Sequence, residues 1–123
     1  MATNKHGPLF RTMESLGYSE GDIVRVAHAL GASYDKITAV ADHSGMTELP
    51  TPFAASAKSP FHANTVQQVA QMIKHVTRFK YSLPLDKAVD VDALNIELMK
   101  AGATVDDRLW IKQGLYEAGL IPA

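Results

Sequence analysis

The sequence predicts an all-α protein, a compact bundle of about six helices. Apolar residues recur at helical spacing along most of the chain, capping side chains precede these stretches, and Gly or Pro follows them. The alternating pattern of a strand is limited to Phe79, Tyr81 and Leu83, where it allows only a short extended piece. Periodicity, caps and the lack of strand pattern thus favour the same fold class.

The first two helices are marked by their ends. Pro8 suits the first turn of a helix and Gly17 its end, which predicts a short helix over about 8–16. Ser19 begins a capping box, in which a carboxylate follows three residues later, and an apolar stripe at spacings of three and four follows it. The second helix is therefore expected over about 20–30.

A third helix is expected after a turn at Gly31. Ser33 is its expected N-cap, Ile37 and Val40 belong to its inward stripe, and Gly45 ends it. The first 45 residues therefore predict three helices in close succession.

Three more helices are predicted in the second half of the chain. Asn64 with Gln67 is a plausible capping pair, and Pro84 keeps the residue before it out of helical geometry. Thr104 caps the last helix. The helices are expected over about 65–81, from Asp90 or Asp92 to about 101, and over about 105–118.

Composition places the chain among ordinary globular proteins. It has 123 residues, a net charge of −1, 46% hydrophobic residues and no Cys, which argues against disorder, disulfide scaffolds and thiolate chemistry. No apolar run approaches the roughly 18 residues that a membrane span needs. We expect a cytoplasmic protein without membrane contact. It is expected to form a single domain, 1–123, divided into an N-terminal unit (8–45), an extended connection anchored by Phe53 and Phe61 (46–63) and a three-helix packing and association part (64–123).

The pattern around Gly31 is the most recognisable motif. Ala27 is a small residue where two helices would touch, Gly31 provides the turn, and Ile37 and Val40 would seat the following helix. Residues 8–45 therefore resemble helix-turn-helix DNA-binding domains. The resemblance implies transcription regulation, with the third helix in the major groove.

The DNA contacts implied in this segment are Ser33, Tyr34, Lys36 and Thr38. Asp35 and Asp42 on the same exposed face would be repelled by phosphate, because carboxylates and phosphates both carry negative charge. The alternative is a pair of helices that merely pack against each other.

The middle of the chain carries a basic stripe. Net charge by segment is −1 over residues 1–47, +3 over 48–82 and −3 over 83–123. In the middle segment Gln67, Gln71, Lys74 and Arg78 repeat at spacings of four, three and four, and Lys80 follows. Such a stripe can contact phosphates, an acidic protein surface or only solvent.

Trp110 is expected to stand apart on the last helix. The helical wheel places it on a polar side, opposite an arc that includes Val105, Leu109 and Tyr116. An exposed Trp is a natural anchor for a partner, although another part of the same chain can cover it.

No catalytic or metal motif is found in the sequence. The five His never lie four residues apart, and no phosphate loop or nucleophile elbow occurs. We expect no enzyme activity, no metal and no cofactor. The favoured hypothesis is a small nucleic-acid-binding or regulatory protein. The alternative is a helical interaction or assembly subunit, which uses Trp110 and the basic stripe for self-association or for an acidic protein partner.

Overall fold

The computed structural model describes residues 7–46 and 59–122, and these residues form an all-α fold. No strand occurs in this part of the chain. It contains five helices rather than about six: α1 (Pro8–Ser15), α2 (Glu20–His43), α3 (Ala63–Thr77), α4 (Val91–Lys100) and α5 (Val105–Glu117). Within the described residues, no helix combines the length and the apolar character that crossing a bilayer requires.

Capping chemistry sets most helix starts. The side chains of Ser19 and Thr104 accept hydrogen bonds from the first turns of α2 and α5, as predicted, and of the two candidates for α4 it is Asp90 that does so. The start of α3 differs, because His62 and not Asn64 is the N-cap: its Nδ1 accepts the Asn64 N–H at 3.2 Å. The helix also ends at Thr77, short of the expected 81.

The predicted turn at Gly31 does not exist. α2 continues through it for 24 residues, so the second and third expected helices are one. Gly31 is buried at the crossing with α3, where a Cβ would lie 2.7 Å from the Cβ of Gln67. The glycine allows two helices to approach closely instead of reversing the chain. The prediction of a separate third helix capped by Ser33 is therefore wrong.

α2 is the central element of the fold. It packs against α3 on one side and against α5 on another, while α1 packs against α2 and α4. Side chains from all five helices form one buried cluster, to which Leu9, Leu30, Ile73, Leu98 and Leu115 contribute. This arrangement leaves three elements with faces turned to solvent: α4, α5 and the second half of α3.

The orientation of α5 differs from the wheel prediction. Trp110 is only 1% exposed, so the expectation that it stands on the surface is wrong. Instead Val105, Leu109 and Tyr116 are exposed. The reason is Gly114, where a Cβ would lie 2.5 Å from Leu30 Cδ2: this glycine lets α5 lie against α2 and turns Trp110 inward.

Only the ends of the expected 46–63 connection are described. Phe61 is buried, as expected of an anchor, and the His62 N–H donates to the Ser59 carbonyl just before α3 begins. Phe53, the other expected anchor, lies outside the described residues.

Candidate functional site

The polar and basic side chains in the second half of α3 form one open surface. Gln71, Lys74, His75 and Arg78 line a shallow depression on the outside of the helix. Lys74 is half-buried and the other three are exposed. None of the described residues that line the depression carries a carboxylate. We call these four residues the α3 cationic surface.

A left-handed residue ends α3 at this surface. Arg78 has φ 56° and ψ 48°, and among the described residues other than glycine it alone has a positive φ. A side chain with a Cβ is disfavoured in this conformation by roughly 1–2 kcal/mol. Its N–H donates to the Lys74 carbonyl at 2.6 Å. The turn directs residues 79–81 back over α2.

Phe79 and Lys80 are held against the N-terminal half of α2. The Phe79 ring fills the space beside Gly21, where a Cβ would clash with the ring. The Arg25 guanidinium lies 4.5 Å from the centre of the same ring, and its Nε donates to the Lys80 carbonyl at 3.3 Å. Arg25 therefore positions the chain that follows the α3 cationic surface.

The charge of Arg25 is compensated by a buried carboxylate. Asp22 accepts from Arg25 Nη1 at 3.1 Å and is fully buried. The same carboxylate accepts the backbone N–H groups of Asp86 at 2.8 Å and Lys87 at 2.9 Å. A buried carboxylate needs such hydrogen-bond donors. These bonds tie the connection between α3 and α4 to α2.

Tyr81 joins α2 to the cationic surface. Its ring stacks on His28 at 3.6 Å with an interplanar angle of 11°, and Lys74 Nζ lies 4.7 Å from its centre. Burial, and then the positive charge of Lys74, lower the pKa of His28, while Asp35 opposes the shift. Burial also raises the pKa of Tyr81. The imidazole is thus favoured in its neutral form, which suits the stack.

Three of the expected DNA-contacting residues on α2 are engaged within the chain. Ser33 is buried and donates to Glu117 Oε2 of α5 at 2.8 Å. The Tyr34 ring meets the His62 ring edge to face at 4.6 Å. The Thr38 hydroxyl donates to the Tyr34 carbonyl at 2.9 Å.

The fourth of these residues, Lys36, is exposed but lies far from the cationic surface. The contact between Tyr34 and His62 places this part of α2 at the start of α3. Lys74 and Arg78 follow twelve and sixteen residues after His62, which is roughly 18–24 Å along a helix. The structure does not bring the two expected groups of contacts together.

The basic stripe itself is placed as expected only in part. Gln71, Lys74 and Arg78 share the depression, whereas Gln67 packs against Gly31 between α2 and α3. Lys80 is exposed beyond the end of α3. The sequence pattern indicates no role for Arg25 or His28 at this surface, because contacts between separate segments leave no periodic signal.

A second polar cluster connects α5 with the start of α3. Ser59 Oγ donates to Asp107 Oδ2 at 2.9 Å, and burial lowers the pKa of His62 while Asp107 opposes the shift. The serine is paired with the carboxylate and not with the imidazole, so it is not arranged as a nucleophile with its base. No group of three metal-binding side chains occurs within residues 7–46 and 59–122.

Comparison with protein-family models, with curated proteins and with solved structures found no match to this chain.

Proposed function

We propose that this chain binds the phosphate backbone of a nucleic acid through the α3 cationic surface. The observation that carries the proposal is the depression lined by Gln71, Lys74, His75 and Arg78, without a carboxylate among its described lining residues. Cations and amide donors on one open face are the groups that contact phosphate oxygens. Lys74 and Arg78 are separated by roughly 6 Å along the helix, so a linear polyanion can meet both.

The conformation of Arg78 supports the proposal. Glycine would occupy this left-handed position without strain, yet an arginine stands there with its side chain exposed. Lys74 is oriented by the Tyr81 ring, which in turn rests on His28. A cation that is already oriented loses less entropy when it binds an anion.

The proposal concerns backbone contacts and not base reading. Ser33, Tyr34 and Thr38 are used in contacts within the chain, and they lie at the opposite end of α3 from the cationic surface. The alternative of an assembly subunit anchored by Trp110 loses its anchor, because this side chain is buried.

The first experiment measures salt-dependent binding of a fluorescent duplex, with a single strand of the same sequence beside it. We expect weak affinity, with Kd on the order of 10⁻⁵ M, that falls with salt with a log–log slope of about −2 to −3, the value for two or three neutralised phosphates. Lys74→Glu combined with Arg78→Glu should abolish binding at low salt. Lys36→Glu combined with Lys100→Glu makes the same charge change elsewhere and should bind at least tenfold better than the first pair. Equal loss in both pairs would contradict the assigned surface.

A second variant separates binding from stability. Arg78→Gly removes a cation and also relieves the left-handed strain, so unfolding by urea should require as much denaturant as for the unchanged chain, or more. Its nucleic-acid affinity should nevertheless fall several-fold, with the salt slope reduced by about 1. Retention of full affinity would remove Arg78 from the proposed contact.

A further inference from the structure

The outer side of α4 and α5 exposes a cluster of large apolar side chains. Ile96 and Met99 of α4 and Val105, Leu109 and Tyr116 of α5 are each between 47% and 61% exposed. They account for half of the ten large hydrophobic residues exposed to this extent in the described chain. We call these five residues the α4–α5 face. Clustered apolar exposure of this kind marks an interaction surface.

The spacing of these residues forms one stripe on each helix. On α5, Val105, Leu109 and Tyr116 follow at intervals of four and seven, which is one helical stripe. On α4, Ile96 and Met99 are three residues apart and share the stripe that begins at Asp92. The four-residue connection 101–104 is typical of antiparallel neighbouring helices. Asp92 of the α4 stripe and Val105 and Leu109 of the α5 stripe line the groove between these helices.

A groove of about 200 Å³ runs between the two helices. Its rim carries charges of both signs, Asp92 from α4 and Arg108 and Lys112 from α5. Arg108 Nη1 donates to Asn95 Oδ1 at 3.3 Å, while its buried Nε has no partner in the described part of the chain. Neither Arg108 nor Lys112 forms an ion pair with another described residue. The groove therefore offers cations to a carboxylate that arrives with an apolar surface.

We propose that the α4–α5 face is the contact of a two-fold dimer of this chain. The face and the adjoining groove together supply what such a contact needs: apolar stripes on both helices, cations on α5 and a carboxylate on α4. In the dimer, α4 of each copy lies along the groove of the other copy. Asp92 of each copy then faces Arg108 of the other copy. Two helix pairs packed in this way form a four-helix arrangement. This contact is independent of the α3 cationic surface.

The first test is the mass of the chain in solution. Sedimentation equilibrium from roughly 1 to 300 µM should show twice the chain mass of 13.3 kDa at the upper end. Leu109→Lys should weaken dimerisation at least tenfold. Val40→Lys changes a side chain of similar exposure, 58% against 52%, outside this face and should leave dimerisation unchanged. A single-chain mass throughout the range, or a dimer that Leu109→Lys does not weaken, would overturn the proposal.

Loss of folding is separated from loss of contact by a second site and by circular dichroism. Val105 is the most exposed of the five residues, so Val105→Lys should retain the helical spectrum and still weaken the dimer. A folded Val105→Lys chain that dimerises as before would count against the face.

The second test is specific for a contact between copies. Asp92→Lys alone and Arg108→Glu alone should each dimerise more weakly, because each places like charges opposite one another across the two-fold axis. Mixing the two variants should restore the dimer, since Lys then faces Glu in one pair and Asp faces Arg in the other. A mixture as weak as its separate components would overturn the assigned pairing of α4 with α5.

Discussion

The seam between α2 and α3 is closed, whereas the seam between α4 and α5 is open on its outer side. Gly31 lets the Gln67 side chain pack directly against the backbone of α2, and further along the same seam the Tyr81 ring stacks on His28. Between α4 and α5 a groove remains, and apolar side chains such as Leu109 flank it.

The difference shows that a small change in side-chain volume decides whether two helices pack without a groove between them. A glycine at the crossing point of α2 and α3 removes the Cβ that would hold the helices apart, and one polar side chain fills the space. In α5 the glycine, Gly114, faces α2 and not α4. α5 therefore packs closely against α2, whereas a groove separates its other side from α4.

The largest expected effect tests the two sides of α5. Trp110→Ala should destabilise the fold by about 3–5 kcal/mol, because it empties the space of a fully buried side chain. Tyr116→Ala on the exposed side should change the free energy of unfolding by no more than about 0.5 kcal/mol at a concentration where the chain is monomeric. Urea unfolding measures both.

Fluorescence tests the burial of Trp110 independently. Trp110 is the only Trp of the chain, so its emission should be blue-shifted in the folded state and move to longer wavelength on unfolding. An emission maximum typical of water in the folded chain, or equal effects of the two alanine substitutions, would contradict the orientation of α5.

Local features of the fold could be predicted from the sequence, and long-range ones could not. Caps at Ser19, Asp90 and Thr104 were predictable because a cap is a contact between residues three apart. A glycine has two uses, in turns and at close helix crossings, and the sequence does not distinguish them. For this reason the turn predicted at Gly31 is wrong, and no sequence pattern indicated that Gly114 lets α5 approach α2.

At the candidate site, too, local features could be predicted and long-range contacts could not. The stripe of Gln71, Lys74 and Arg78 could be predicted, because helical periodicity places these residues on one face. The contact of Arg25 with Phe79 joins segments more than 50 residues apart. Such contacts depend on how the helices pack, which the pattern of one helix does not contain.

An intermediate effect tests how tightly the α2–α3 seam is closed. Alanine is normally favoured over glycine inside a helix by about 1 kcal/mol, but at Gly31 its Cβ would meet Gln67. Gly31→Ala should therefore destabilise the fold, by about 1–3 kcal/mol. Gln67→Gly removes all the Gln67 side-chain atoms that the added Cβ would meet, so the double variant should recover about 1 kcal/mol relative to the sum of the single changes. A stabilising Gly31→Ala would show that Gln67 does not pack tightly against Gly31.

The smallest expected effect is a pH dependence confined to the closed seam. His62 caps α3 by accepting the Asn64 N–H at Nδ1, and it packs against Tyr34 of α2. Burial lowers its pKa below the ordinary 6.5, and Asp107 opposes this shift. In the unfolded chain the imidazole keeps its ordinary pKa, so between the two values the unfolded state binds more protons. Stability is therefore full above about pH 6.5 and declines as pH falls through the folded value.

The variant His62→Asn separates capping from titration. Asparagine is a good N-cap without a titrating group, so it should keep α3 in place and reduce the pH dependence. The expected difference is no more than the roughly 1 kcal/mol that a cap contributes. Urea unfolding at about pH 7, 6 and 5 measures it, with His43→Asn as an exposed control. A slope that His62→Asn leaves unchanged would assign the decline to His28, whose pKa is also lowered by burial and which lies in the same seam.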